Sequence, residues 1–268
     1  HLFKPLSRPD GKSQFKRIVF IGAHKGLGKY LLDHCEISKE YEIIVFGRSL
    51  KDHKVSNIFY INADSTHREE CQKQLTALGS IDLVINAAGI EVSKSLDQTV
   101  INDHNLVLDV KYTAAKSLST ICAKELDCPY IHFSSVVGFF GGRGQYSYAM
   151  ANEMARTEFT QNPGTNIVIN WPALDKIGMT ENIGIYQKIK ESGLSMLPGE
   201  KAVEIFNNIL SYAFEQKENL DLFILDKRDF FILDHHLIDQ NKFLDSSVKS
   251  ISPFHFTKEV DIKVSPEY

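Results

Sequence analysis

Short apolar runs and helical patterns alternate along this chain, and each apolar run stops at a cluster of glycine or small polar residues. The runs are Arg17–Ile21, Glu42–Phe46, Asn57–Ile61, Ile81–Ile85, Tyr130–Phe133, Asn166–Asn170 and Leu220–Leu225. Their length and their β-branched and aromatic content read as buried strands. Helical periodicity fills the intervals: after Gly28 to about Ser38, from Arg68 to Leu78, and from Asp97 to Glu125 with a break expected near Asn102–Asn105. A short helix is expected near Ile185–Lys190. Pro198 opens another that carries Ala202, Val203, Phe206, Ile209 and Leu210 on one side. Strands that alternate with helices wind into a parallel sheet covered on both faces. The expectation is one doubly wound, mostly parallel, seven-stranded α/β domain over residues 17–234. A polar linker (1–16) precedes it and an extension or linker (235–268) follows, with room for an edge strand in 246–268.

The 268 residues are 43% hydrophobic and 24% charged with a net charge of −4, so acidity gives no reason to expect nucleic acid or an anionic membrane as partner. No apolar run approaches the about 18–20 residues of a membrane span, and the first residues lack the apolar core of a secretory signal. Cys35, Cys71, Cys122 and Cys128 form no CxxC pair and read as free thiols in a reducing, cytoplasmic setting. The histidines form no HExxH or Cys/His cluster, so no metal site is expected.

In a doubly wound sheet, ligands lie beyond the carboxyl ends of the strands. Every polar or glycine cluster of the chain falls there, which gives one rim and one site. The first is Gly22-Ala23-His24-Lys25-Gly26-Leu27-Gly28, between the first strand and its helix. Glycines let a backbone approach a pyrophosphate, and a helix N-terminus offers free N–H groups to it. After the second strand stand Arg48 and Ser49, with Lys25 nearby in the glycine loop and no acid at the strand end. Cations and a hydroxyl there suit a ribose 2′-phosphate, so NADPH is expected over NADH. Asp64 and Ser65 close the third strand, where Asp64 either bonds an adenine amine or serves as a turn residue. Asn86-Ala87-Ala88-Gly89 offers a small-residue floor or, equally, a turn, and Pro172 follows the sixth strand.

The fifth strand runs into Ser134-Ser135, a loop with Gly138, Gly141, Gly142 and Gly144, and a helix that carries Tyr148 and, one turn on, Asn152. Ser135 precedes Tyr148 by 13 positions. A hydroxyl at a strand end facing a phenol at a helix start can polarise and protonate a carbonyl. The same pattern also suits an ordinary strand–loop–helix scaffold.

The glycine loop, Asn86–Gly89 and the Ser135/Tyr148 pair together resemble the short-chain dehydrogenase/reductase superfamily, whose fold is Rossmann-like. That family's signature places a lysine four residues after the tyrosine, where this chain has Asn152. The ketoreductase domains of modular polyketide synthases resolve the departure: they carry Tyr-x-x-x-Asn and take the lysine from the long helix after the fourth strand. Val107-Leu108-Asp109-Val110-Lys111-Tyr112-Thr113-Ala114 is similar to that segment and puts Lys111 37 positions before Tyr148. Three further stretches agree: Gly144–Asn152, Asn170–Met179 and Glu191–Pro198. The resemblance covers residues 17–228. It also implies an N-terminal structural half with no counterpart in the 16 residues before the first strand.

The resemblance implies reduction of a β-ketoacyl thioester on a phosphopantetheine-bearing acyl carrier protein, beside neighbouring synthase domains. Tyr148 would be the general acid, Lys111 its cation, Ser135 the bond to the carbonyl oxygen, and Asn152 would complete the ring. A free-standing reductase of a small ketone or acyl-carrier substrate and a silent structural or docking domain are the competing expectations. Residues 173–197 are expected to form a lid, and Trp171 core or cleft wall. Members that give one product hand carry Leu-Asp-Asp after Ala-Ala-Gly, where this chain has Ile90-Glu91-Val92-Ser93. Members that give the other carry a tryptophan where it has Phe140, and the aromatic places the chain nearer the second class.

Overall fold

The computed structural model describes residues 16–229 apart from 36, 93, 95–97, 143, 216–217 and 227–228; of the linker expected at 1–16 only Lys16 is described, and it opens the first strand, while the extension at 235–268 lies outside the described residues. Eight strands form one sheet: β1 (Lys16–Ile21), β2 (Tyr41–Gly47), β3 (His53–Val55), β4 (Ile58–Asn62), β5 (Leu83–Asn86), β6 (Tyr130–Ser135), β7 (Asn166–Trp171) and β8 (Leu220–Phe223). Their order is β3-β4-β2-β1-β5-β6-β7-β8, and all neighbours are parallel except β3 and β4. The seven expected strands are all present. The eighth, β3, is a correction. Its three residues are exposed and lack the alternation that marks a strand, and they pair only because Ser56, at φ 55°, turns the chain back along β4.

β1, β2, β5, β6 and β7 are buried on both faces, which is why the sequence shows solid apolar runs there, while β4 is only half-buried. Ile18 and Phe20 of β1 join Ile131, Phe133 and Phe206 on one side; Val19 and Ile21 join Leu75, Leu118, Tyr130 and Phe159 on the other. The first face is covered by α1 (Gly26–His34) and α9 (Gly199–Glu215), with α2 (Ile37–Glu40) packed against β2. The second is covered by α3 (Arg68–Ala77), α5 (Ala114–Ile121) and α7 (Tyr146–Gln161). Pro198 immediately precedes α9, and its carbonyl accepts from Ala202 and Lys201 at 3.1 Å.

The long helical stretch also departs from expectation. It does not break near Asn102–Asn105. Instead α4 (Ile101–Leu108) runs through a π-helical turn (Asp109–Thr113) into α5 and a second π turn (Cys122–Leu126). Asn102 and Asn105 face solvent while Val107 is buried against α7, so docking overrides their weak helix preference. The expected loop after β6 contains a five-residue helix, α6 (Val136–Phe140), and α8 spans Ile183–Glu191. All four cysteines are free and buried, and no helix among the described residues is long and apolar enough to cross a membrane.

Candidate active site

The chain winds outward from β1 through β2 to β4 and then returns to β5, so the β1/β5 boundary is a topological switch point. The carboxyl ends of the strands open there onto a cavity of about 1850 Å³. Gly22 sits at the crossing with φ 81°, and a Cβ on it would lie 2.7 Å from the Ala88 nitrogen. Its N–H donates to Phe46 at 2.8 Å, and Ala87 donates back to Ile21 at 2.9 Å. No residue larger than glycine fits this knot between β2, β1 and β5. Gly26 (φ 60°) continues the Cβ-free cradle at the N-terminus of α1, whose first turn holds no acid and no side-chain cap. These free amides fit the pyrophosphate of a dinucleotide.

Most of the expected cofactor residues line this cavity: Gly22, His24, Lys25, Gly26 and Leu27 from the loop, Arg48 and Ser49 from the end of β2, then Asp64, Ser65, Ala87, Ala88, Gly89 and Pro172. Gly28 and Asn86 do not. Gly28 brings α1 against the sheet, where a Cβ would lie 3.0 Å from Ala23 Cα and 3.1 Å from Ala87 Cβ. Asn86 is fully buried beneath the floor. It donates to the Tyr130 hydroxyl at 2.9 Å and accepts from the Ala88 N–H at 3.0 Å, which fixes the turn. Asp64 also makes a turn, accepting from the Thr66 N–H and hydroxyl at 3.0 and 2.7 Å. Burial pushes its carboxyl up, but those bonds and the nearby Arg48 and His67 hold it below its usual range. His24 lies over Gly47, where a Cβ would strike its ring, and its Nδ1 is buried without a partner.

At the other end of the cavity stand Lys111, Ser135 and Tyr148. Lys111 belongs to the first π turn and is only 3% exposed. It donates to the Phe133 carbonyl at 2.7 Å, and its Nζ lies 5.7 Å from the centre of the Tyr148 ring. Burial pushes its ammonium down to about 8. Tyr148 is 7% exposed and raised to about 12, first by burial and then by the Glu91 carboxylate, while the Ser135 and Asn152 side chains beside it pull the other way. The Ser135 hydroxyl accepts from the Val137 N–H at 3.2 Å as the cap of α6, which leaves its own proton to give.

Asn152 does not line the cavity. Its amide donates to the Tyr148 carbonyl at 2.7 Å, and its oxygen accepts from Ser134 at 3.3 Å, so it locks α7 to the end of β6. Two residues of the site were not read from the sequence as functional. Glu91 accepts a short bond from Gln145, and the pair ties the loop after β5 to the start of α7 beside the phenol. Glu91 entered the reading only as a place where a marker is missing, and Gln145 only as part of a matched stretch. Trp171 is buried, packs on Phe133 at 5.5 Å and contributes to the cavity wall. The 173–197 segment is clamped at its base by a parallel bridge between Leu174 and Leu197. It carries a 3-10 turn (Gly178–Glu181) packed over Gly26–Leu27, then α8 at the cavity mouth.

A family model described as KR domain matches residues 17–176. The 3-oxoacyl-[acyl-carrier-protein] reductase FabG of Buchnera aphidicola subsp. Baizongia pistaciae is 28% identical over 208 residues, 70% of this chain and 84% of that protein. The polyketide synthase PksN of Bacillus subtilis is 23% identical over 218 residues, 74% of this chain but 4% of that protein. Among solved structures, a ketoreductase domain from the bacillaene assembly line aligns with a TM-score of 0.63 at 20% identity, covering 81% of this chain and 58% of that one. That likeness establishes the fold.

Proposed function

The chain belongs to the KR domain family, and on that premise we propose that it reduces a β-ketoacyl thioester, carried on an acyl carrier protein, to the β-hydroxyacyl thioester with NADPH. One observation carries the reading: Lys111 reaches the Tyr148 ring from a different helix, while Asn152 occupies the position four residues after the tyrosine. Bound along the rim, the nicotinamide supplies hydride. Gly22, Gly26 and the α1 amides would hold the pyrophosphate, Asp64 the adenine, and Lys25, Arg48 and Ser49 the 2′-phosphate that separates NADPH from NADH.

In the reaction the Tyr148 hydroxyl gives its proton to the ketone oxygen as that oxygen gains charge. The Ser135 hydroxyl donates a hydrogen bond to the same oxygen and fixes its approach. Proton release leaves a phenolate, which the Lys111 ammonium stabilises across a site too dry to screen it. The Asn152 lock holds Tyr148 and Ser134–Ser135 in one register, so that phenol and hydroxyl address one atom. Trp171 and the 173–197 segment wall the substrate from water.

NADPH oxidation with a short β-ketoacyl thioester, followed by chiral analysis of the alcohol, tests the reading. Tyr148→Phe is expected to lower turnover on the order of 10² or more, and retention within about twofold refutes the acid role. The coverage of the FabG relative, 84% of its length, favours a second reading as a free-standing reductase. Because a free-standing reductase of that kind also takes a carrier-bound substrate, oligomeric state separates the two, a tetramer being expected of the free-standing form.

A further inference from the structure

Beyond the reacting groups, α7 carries a second polar feature that the proposed reaction does not use. Tyr148, Asn152 and Arg156 recur every four residues and so share one face of the helix. The Arg156 guanidinium is held on two edges. Nε and Nη2 donate to the two oxygens of Glu153 at 2.7 and 2.5 Å, and Nη1 donates to Asp221 of β8 at 2.6 Å. Asp221 accepts in turn from Asn170 of β7 at 2.7 Å. The guanidinium also lies near two rings, with its carbon 5.3 Å from the centre of Phe139 and 5.8 Å from that of Phe223. Phe139 meets Phe140 at 5.1 Å, and Phe223 meets both at 5.3 and 6.4 Å, all edge to face.

These contacts end at the cavity. Phe139 and Phe140 close α6, the helix that Ser135 caps, and Phe140 lines the cavity with Ser135 and Tyr148. Gly138, midway along α6, sits flush on α7, where a Cβ would come within 2.9 Å of Asn152 Cβ. A half-buried ion pair is poor evidence for stability, because desolvation offsets much of its attraction. A forked arginine that joins two strands and a helix under a stack of rings does fix direction.

We propose that Arg156 is a positioning residue for the reaction: clamped between Glu153 and Asp221, it holds α6 against α7 and β8. Through α6 it places Phe140, which lines the cavity with Ser135 and Tyr148 and so, on the reductase reading, walls one side of the ketone. This rests on the reductase reading and deepens it.

The test removes the clamp without stranding a charge, by combining Arg156→Met with Asp221→Leu. Glu153 keeps hydration, since its side chain is 37% exposed. With a short β-ketoacyl thioester, the ratio of the two alcohol enantiomers is expected to shift about fivefold, and kcat/KM to fall on the order of tenfold, as for a displaced rather than deleted group. NADPH affinity, read by fluorescence, stays within about twofold. In a Phe140→Ala background the same pair of substitutions is expected to leave the ratio where Phe140→Ala alone puts it, because both act through one wall. Should the double variant fail to fold, Arg156→Lys, which keeps a charge on Asp221 but loses the fork, is scored in the same cycle. An unchanged ratio, or additive shifts with Phe140→Ala, overturns the positioning role alone. A wild-type chain that reduces no β-ketoacyl thioester overturns the reductase reading and the positioning role with it.

Discussion

Replacing Lys111 with methionine is expected to make this protein more stable and far less active, and both sizes follow from the structure. The ammonium is buried, and its pKa falls from 10.5 to about 8. Holding the proton on Lys111 at pH 7 therefore costs the fold on the order of 3 kcal/mol, at about 1.4 kcal/mol per unit. Methionine removes that cost and fits a similar volume, and the lost bond to the Phe133 carbonyl offsets about 1 kcal/mol of the gain. The sign is checked through linkage. The unfolded lysine binds its proton more tightly than the folded one, so wild-type stability rises with pH between about 8 and 10.5 and is level below that window. The advantage of Lys111→Met is thus largest at pH 7 and fades as pH climbs toward 10.5. For activity, a charge 5.7 Å from the Tyr148 ring interacts with phenolate by roughly 3 kcal/mol at an effective dielectric of about 20, which is on the order of 10² in rate. Urea titrations at pH 7 and 9.5, beside NADPH-dependent turnover, measure both. A variant that is less stable by about 1 kcal/mol or more, or that keeps turnover within about threefold, refutes the reasoning.

Arg48→Glu is expected to lower kcat/KM for NADPH by at least about tenfold and to raise it for NADH, since a carboxylate repels a 2′-phosphate and bonds a 2′-hydroxyl; an unchanged cofactor ratio sinks that role. Gly22→Ala, with φ at 81° and the Ala88 nitrogen 2.7 Å from the new methyl, should cost stability by about 2 kcal/mol or more and abolish NADPH binding by fluorescence. His132 is buried with Nε2 unpartnered, and burial, aided by Lys111, holds its pKa well below the usual value. The unfolded imidazole takes up a proton near pH 6.5 while the folded one resists, so stability drops by up to about 1.4 kcal/mol per pH unit below 6.5. His132→Leu should flatten that acid limb in thermal melts from pH 7 to 5.

What was legible in the sequence was what local chemistry dictates. Solid apolar runs can only be strands covered on both faces, so β1, β2, β5, β6 and β7 were readable where they stand. His53–Val55 was not, because an exposed edge strand buries nothing and leaves no pattern. Asn102 and Asn105 read as a break because propensity is intrinsic, whereas the contact of Val107 with α7 that overrides it is tertiary. In the site, the loop residues that line the cavity were found through their place at strand ends, Tyr148 through its spacing from Ser135, and Lys111 through the family resemblance. Gly28, Asn86 and Asn152 carry the same motif positions but act behind the surface, on packing and hydrogen bonds that no spacing encodes. Glu91 was passed over for the converse reason: it has no motif, only a position beside Tyr148 and Gln145.

The exchange of Lys111 for a lysine at position 152 has a physical basis in the partners of Asn152. The Ser134 hydroxyl needs an acceptor and the Tyr148 carbonyl a donor, and the Asn152 amide supplies both, at 3.3 and 2.7 Å. A lysine there has three donors and no acceptor, so it would keep the bond to the carbonyl and leave the Ser134 hydroxyl only the backbone carbonyl of residue 152, at 3.5 Å. On the proposed reading the charge beside the phenol comes from elsewhere, and the turn from Asp109 to Thr113 is the backbone that brings Lys111 to it. That turn is π-helical. Its extra residue per turn re-aims the helix locally, and Lys111 emerges with its Nζ between the Phe133 carbonyl and the Tyr148 ring. On the proposed reading, locking the helix and charging the tyrosine are thereby divided between two residues.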